Sequence, residues 1–216
     1  MKKTLFISVG VLLALVFLAG VLYFKAEKAD QAELLAEQNR AGLVRDYSPA
    51  LGPTAAKVRI VEFLDPACGT CKRFYPFVKD MLIAHPDEIH LTVRYAPFHE
   101  YSDYVVAMLF AAELQGKHWE TLEALLEGQE DWVQNHVVQR ERVWRHVENL
   151  GLNLEQLRTD MNSPEVIQKI EQDRADVQLM NVSKTPEFYV NGKPLPSFGY
   201  DPLKNRVDEA LASAYR

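Results

Sequence analysis

Apolar and polar positions fall into blocks of different period along this chain. Thr4 to Phe24 runs 21 residues without a charged side chain. As a helix rising about 1.5 Å per residue, that stretch spans the ~30 Å hydrocarbon layer of a membrane. From Lys25 to about Asn39 the chain is charged and rich in Ala and Glu, and it reads as a helical or partly ordered spacer. A loop with Pro49, Gly52 and Pro53 leads into the main body. Lys57-Val-Arg-Ile-Val-Glu-Phe-Leu64 and Ile89-His-Leu-Thr-Val-Arg-Tyr-Ala96 are runs of β-branched and aromatic residues, each read as a buried strand. Between them, Cys68 to about Ala84 reads as a helix broken or kinked at Pro76. Strand, helix, strand favours parallel pairing.

The next stretch, about Tyr101 to Met180, reads as helical. Val105, Met108, Leu109 and Ala112 mark one helix ending at Gly116. Trp119, Leu122, Leu125 and Leu126 mark a second, and Val143, Val147 and Leu150 a third ending at Gly151. These stripes, Met108, Trp119 and Trp144 included, are packing positions. Strand pattern returns at Glu187-Phe-Tyr-Val190, with Asn191-Gly192 as a two-residue hairpin turn before Lys193 to Leu195. Asp201-Pro202 supplies an N-cap and first-turn proline for a last helix through Tyr215. The organisation is an N-terminal apolar segment (residues 1–24), a linker (25–50) and one α/β domain (51–216) with a helical insertion at about 99–180.

Charge and cysteine use narrow the function. The formal net charge is −6 with both signs interspersed, so the basic stripe that nucleic acid requires is missing from the pattern. Met1-Lys2-Lys3 ahead of the apolar run puts the N-terminus in the cytoplasm and the body on the exported side. An uncleaved anchor fits better than a cleaved signal peptide: the run is long, and Leu18-Ala19-Gly20 has a large residue where cleavage wants a small one. The chain holds two cysteines, Cys68 and Cys71. A loop this short removes little entropy from the unfolded chain, so the pair is a poor staple and a good reversible redox couple. At a helix start, free N–H groups and the dipole favour the thiolate of Cys68, with Lys72 and Arg73 adding charge. Cys71, one turn further in, is then the shielded resolving thiol.

Cys68-Gly-Thr-Cys71 after an apolar strand, with Pro76 five residues beyond, resembles the thioredoxin superfamily. The helical insertion, Gln115-Gly-Lys-His-Trp119 and Thr185-Pro-Glu-Phe-Tyr-Val-Asn-Gly192 are similar to its DsbA-like branch. The resemblance covers about residues 40 to 216. It implies a thioredoxin-like α/β fold with a helical insertion, and thiol–disulfide exchange through Cys68 and Cys71 with no cofactor beyond their own disulfide. It also implies that Thr185-Pro186 is a cis-proline loop holding substrate backbone. Glu62, six residues before Cys68 in an otherwise apolar strand, matches a buried acid that moves the proton of the buried cysteine. Burial should raise its pKa, and Arg94 on the second strand is a candidate partner. The dipeptide Gly69-Thr70 replaces the Pro-His common in strong oxidases, and Thr185 stands where those often have Val.

The expected activity is exchange of disulfides with exported cysteine-containing proteins in the periplasm. The domain is tethered to the inner membrane by the N-terminal helix and recycled by a membrane redox partner. Oxidase is placed ahead of reductase or isomerase. A reading of a different class, a soft-metal module using the CxxC thiolates, needs two further ligands, and the six His residues form no close pair.

Overall fold

In the computed structural model, residues 13, 15–25, 27–28, 30–31 and 42–216 are described. The chain divides into two units, Met1–Gln38 and Asn39–Arg216. In the first, residues 15–25 are helical, and residues 4–12 and 14 of the expected membrane segment lie outside the described residues. Among the described residues no helix is long and apolar enough to cross a membrane.

In the second unit the β-branched runs form strands because their alternating side chains fit both faces of a covered sheet. Among the described residues, β1 (Ala50–Leu51), β2 (Val58–Leu64), β3 (Ile89–Tyr95), β6 (Glu187–Val190) and β7 (Lys193–Pro194) make one sheet, in the order β1-β3-β2-β6-β7. β2 and β3 are parallel, as strand–helix–strand demands, and Glu62 pairs in register with Val93. The pairing of β2 with β6 is antiparallel, with Glu62 opposite Phe188. β1 occupies a stretch expected to be loop: Ala50 and Leu51 pair antiparallel with Thr92 and Leu91. Gly52 follows with φ +84, and a Cβ there would stand 2.2 Å from the Ile89 carbonyl oxygen. The edge pairing therefore needs glycine at that turn.

Helix α1 (Gly69–Ala84) follows β2 and continues through Pro76 without a break, where a break or a kink was expected. α2 (Ser102–Glu113) is apolar nearly all round and buried from Val105 to Ala112, while α3 (His118–Glu127) buries one face. The region expected to be helical to Gly151 holds instead the short α4 (Gln129–Trp132) and a hairpin of β4 (Val133–Gln134) and β5 (Val137–Val138). After these come α5 (Arg140–Val143) and a tight turn at Trp144–His146. Two-residue strands leave no alternation for a sequence to display. Helices α6 (Leu154–Asp160) and α7 (Pro164–Leu179) start at Asn153 and Ser163, whose side chains accept from the N–H groups of Gln156 and Val166. The last helix, α8 (Tyr200–Tyr215), begins one residue before the expected cap, with Gly199 ahead of it. Tyr200 is drawn in by stacking on Phe74 at 4.1 Å.

The sheet has two dressed faces. Ile60, Leu64, Val93, Phe188 and Val190 share the main core with Phe74 and Val78 of α1 and with Leu203 and Val207 of α8. Val61, Phe63 and Tyr189 point the other way, toward Val177 of α7 and Val182.

Candidate active site

The sharp turn after β2 places Cys68 as the N-cap of α1 in extended backbone, with its N–H donating to the Asp65 carbonyl oxygen at 2.9 Å. Gly69 and Thr70 open the helix, and Cys71 lies one turn in, fully buried. Cys68 is more covered than a freely exposed nucleophile, at 8% exposure, because the loop before β6 lies against it. The Thr185–Pro186 peptide in that loop is cis, and the Thr185 carbonyl oxygen accepts from the Cys68 thiol at 3.3 Å.

The two thiols are driven apart. Cys68 is lowered from 9.0 to about 5, chiefly by a hydrogen bond from the Cys71 thiol and further by the Thr185 side chain and the N–H groups of Cys71 and Thr70, against the opposing effect of burial. Cys71 is raised well above its ordinary value by burial, by that same Cys68 hydrogen bond and by the charge of Glu62. A low thiol at the surface and a high one behind it is the division that exchange through a mixed disulfide requires. Of Lys72 and Arg73, both expected to add charge at Cys68, Lys72 is engaged elsewhere, while Arg73 stays at the Gly69-Thr70 dipeptide. The Lys72 ammonium donates to the Glu127 carbonyl and Glu130 carboxylate, and Arg73 donates to the Thr70 hydroxyl.

Glu62 is fully buried, and neither carboxylate oxygen has a hydrogen-bond partner. Burial, with a smaller effect from the charge of Cys68, pushes it up to about 8. Arg94 is not its partner. Strand alternation sends Glu62 to the α1 face, whereas Arg94 leaves β3 on the opposite face and reaches Asp173 at 2.7 Å and Asp176 at 2.6 Å. Among the described residues no three His, Cys, Asp or Glu side chains converge as a metal-ligand set.

Sequence reasoning missed two contributors. Gln129 of α4 is buried and donates to the carbonyl oxygens of Pro66 at 2.7 Å and Cys68 at 3.2 Å, holding the active-site turn from 61 residues away. Asp65 carries the second: its carboxylate accepts from the N–H groups of Ala67, Phe98 and His99, from the His99 ring and from the Ser102 hydroxyl. An acid directly before the C-x-x-C turn was a local signal; its partners at 98–102 had none.

Comparison with known proteins is decisive at the level of family. Residues 45–209 match the family model described as Thioredoxin. The chain belongs to the thioredoxin family. A thioredoxin-like oxidoreductase from Silicibacter pomeroyi DSS-3 is 32% identical, with a TM-score of 0.69 over 81% of this chain and 99% of that one. BdbD from Bacillus subtilis is 26% identical, with a TM-score of 0.67 over 77% of this chain and 94% of its own. The thiol-disulfide exchange protein alpha-DsbA2 from Wolbachia pipientis, 20% identical with a TM-score of 0.70 over 85% of this chain and 97% of that one, shares the fold. By sequence the chain is also 29% identical over 194 residues to a Na(+)/H(+) antiporter NhaA of Herminiimonas arsenicoxydans. That match takes in 87% of this chain and 30% of the antiporter. The chain thus spans about a third or less of these curated relatives.

Proposed function

We propose that this thioredoxin-family protein oxidises cysteine pairs in exported proteins through the Cys68–Cys71 disulfide. The geometry that carries the direction is the position of Cys68 at the start of α1, where the Cys71 thiol and the N–H groups of Cys71 and Thr70 favour its thiolate. Lowering a thiol from 9.0 to about 5 stabilises the reduced pair about a hundredfold at pH 7, or about 60 mV toward an oxidising potential. In the forward reaction a substrate thiolate attacks the Cys68 sulfur and the Cys68–Cys71 bond breaks. Cys71 leaves as a thiolate and takes a proton, which the neutral carboxyl of Glu62 on the same face supplies. A second substrate thiolate then attacks the substrate sulfur of the mixed disulfide and releases the Cys68 thiolate. The substrate loses two electrons and the cysteine pair gains them.

Thr185 and Pro186 line the approach to Cys68 and would hold the substrate backbone there. The apolar run at residues 4–24 supports a membrane tether with the domain on the periplasmic face, within reach of a membrane partner that reoxidises the pair. Reduction or isomerisation is the second reading, favoured by Gly69-Thr70, which provides no cation between the cysteines. The reduction potential of the pair, titrated against glutathione, decides between them. A value near the ~−120 mV of a strong oxidant carries the first reading, and one at or below ~−200 mV the second. Cys68→Ala should abolish exchange; exchange that survives it would refute both.

A further inference from the structure

Directly after β2 stands an acid that serves as a junction. Asp65 is fully buried, and five donors converge on its carboxylate: Ala67 N–H at 2.9 Å, Phe98 N–H at 2.8 Å, His99 N–H at 2.9 Å, His99 Nδ1 at 2.7 Å and the Ser102 hydroxyl. Its own carbonyl receives the Cys68 N–H at 2.9 Å. One residue therefore couples the lead into the nucleophile to the loop that carries His99. Those donors hold Asp65 below the ordinary carboxylate range despite its burial, so Nδ1 of His99 carries the proton and donates it. The ring is also clamped from the insertion. His136, at the tip of the β4–β5 hairpin, stacks on it at 5.6 Å and 25°, and Val138 N–H donates to the Glu100 carbonyl at 3.0 Å.

A buried carboxylate three residues from a thiolate opposes it unless a cation balances the charge. Gly69 and Thr70 have none to give, Lys72 is turned toward Glu127 and Glu130, and the Arg73 guanidinium is held on the Thr70 hydroxyl, at the dipeptide rather than on Asp65. The charged or titratable groups around His99 are Asp65 just after β2, Cys68 at the start of α1 and His136 in the hairpin, with Glu100 next in the chain. We propose that His99, protonated on Asp65, is the positioning residue that balances this charge and holds Cys68 as the thiolate. The mutual influence is visible from the imidazole side: its hydrogen bond to Asp65, the Asp65 charge and the Cys68 charge all raise His99, against desolvation. Coupling of this kind is reciprocal. Cys68 draws most of its acidity from Cys71, Thr185 and the helix-start amides, so the share of His99 is a modest one.

The inference rests on the reading of Cys68 as the exchange nucleophile, and the test separates the two. His99 is titrated by ring-resolved NMR in the full-length wild-type chain, reduced and then oxidised, which requires no variant. The reduced form should show His99 titrating about 0.5 to 1 pH unit higher, because oxidation removes the thiolate. His99→Gln, which keeps a donor toward Asp65 without the charge, should raise the alkylation midpoint of Cys68 by the same amount. It should also shift the glutathione equilibrium about threefold to tenfold toward the disulfide, which is about 15 to 30 mV. His99→Arg, which keeps a cation, should restore both. A His99 titration identical in the two redox states overturns the proposal, as does a His99→Gln protein with the wild-type Cys68 midpoint. A wild-type Cys68 midpoint near the ordinary thiol value would instead refute the nucleophile reading beneath it.

Discussion

Glu62 and Cys68 carry opposite perturbations on the same face of the sheet, and pH should separate them. Glu62 has a folded value of about 8 against an ordinary 4.5. The folded state then holds the extra proton between those values, so the stability Glu62 contributes is full below about 4.5 and lost as pH rises to about 8. Glu62→Gln should flatten that decline, which is worth about 3 to 5 kcal/mol at most and is read from urea midpoints at pH 5 and pH 8. Cys68 works in the reverse sense in the reduced protein, with a folded value of about 5 against 9.0. Its stabilisation is full above about 9 and lost as pH falls to about 5. The stability of the reduced form relative to the oxidised form should therefore increase from pH 5 to pH 9, measurable as the difference between their unfolding midpoints. A constant difference would mean that Cys68 titrates like an ordinary thiol.

Among the elements, the insertion does more than cover the sheet. Helix α4 is four residues long, and with its buried Gln129 it satisfies the Pro66 and Cys68 carbonyls. Gln129→Leu leaves both without that donor in a covered site. A cost of about 1 to 3 kcal/mol follows in urea unfolding, together with a rise in the Cys68 alkylation midpoint as the turn loosens. The neighbouring junction at Gly128 is equally confined, since a Cβ there would stand 2.2 Å from the His146 Nδ1. The hairpin that follows α4 brings His136 over His99, so a segment expected to be plain helix supplies two of the contacts around the active-site turn. Its strands are too short to show a period, and the positive φ values of Asn135 and His136, 51° and 65°, fall on residues that also suit helices and loops.

Across the molecule, the two faces of the sheet divide chemistry from scaffolding. The α1 face carries Glu62 and the cysteines. The opposite face carries a buried ionic cluster in which Arg94 meets Asp173, Asp176 and the Gly42 carbonyl, and Arg45 closes on Asp176 at 2.6 Å. Tyr47 also donates to Asp173 at 2.8 Å. That cluster ties the chain ahead of β1 to β3 and α7. Arg94→Leu strands buried carboxylates and should cost about 3 to 5 kcal/mol in unfolding free energy. Because the sheet stands between Arg94 and the thiols, the Cys68 alkylation midpoint should stay at the wild-type value; a shift would show that the two faces communicate.

The sequence alone determined what local chemistry and short spacing encode. The strands around Cys68 and their parallel pairing, the helix from the C-x-x-C turn, the Asn191-Gly192 hairpin and the family resemblance were all legible there, because each is set by residues a few positions apart. The anomaly of Glu62 was legible too, as a charge interrupting an apolar strand. The tertiary structure decided everything that depends on which face a side chain takes and what arrives from afar. Alternation along β3 turned Arg94 away from Glu62 and toward acids some 80 residues later. The hydrogen bonds of Asp65 to Phe98, His99 and Ser102, and of Gln129 to Cys68, join segments whose separation in sequence carries no period. Partners are chosen by the packed sheet and its insertion, since a buried polar group takes whichever donor the fold delivers to it.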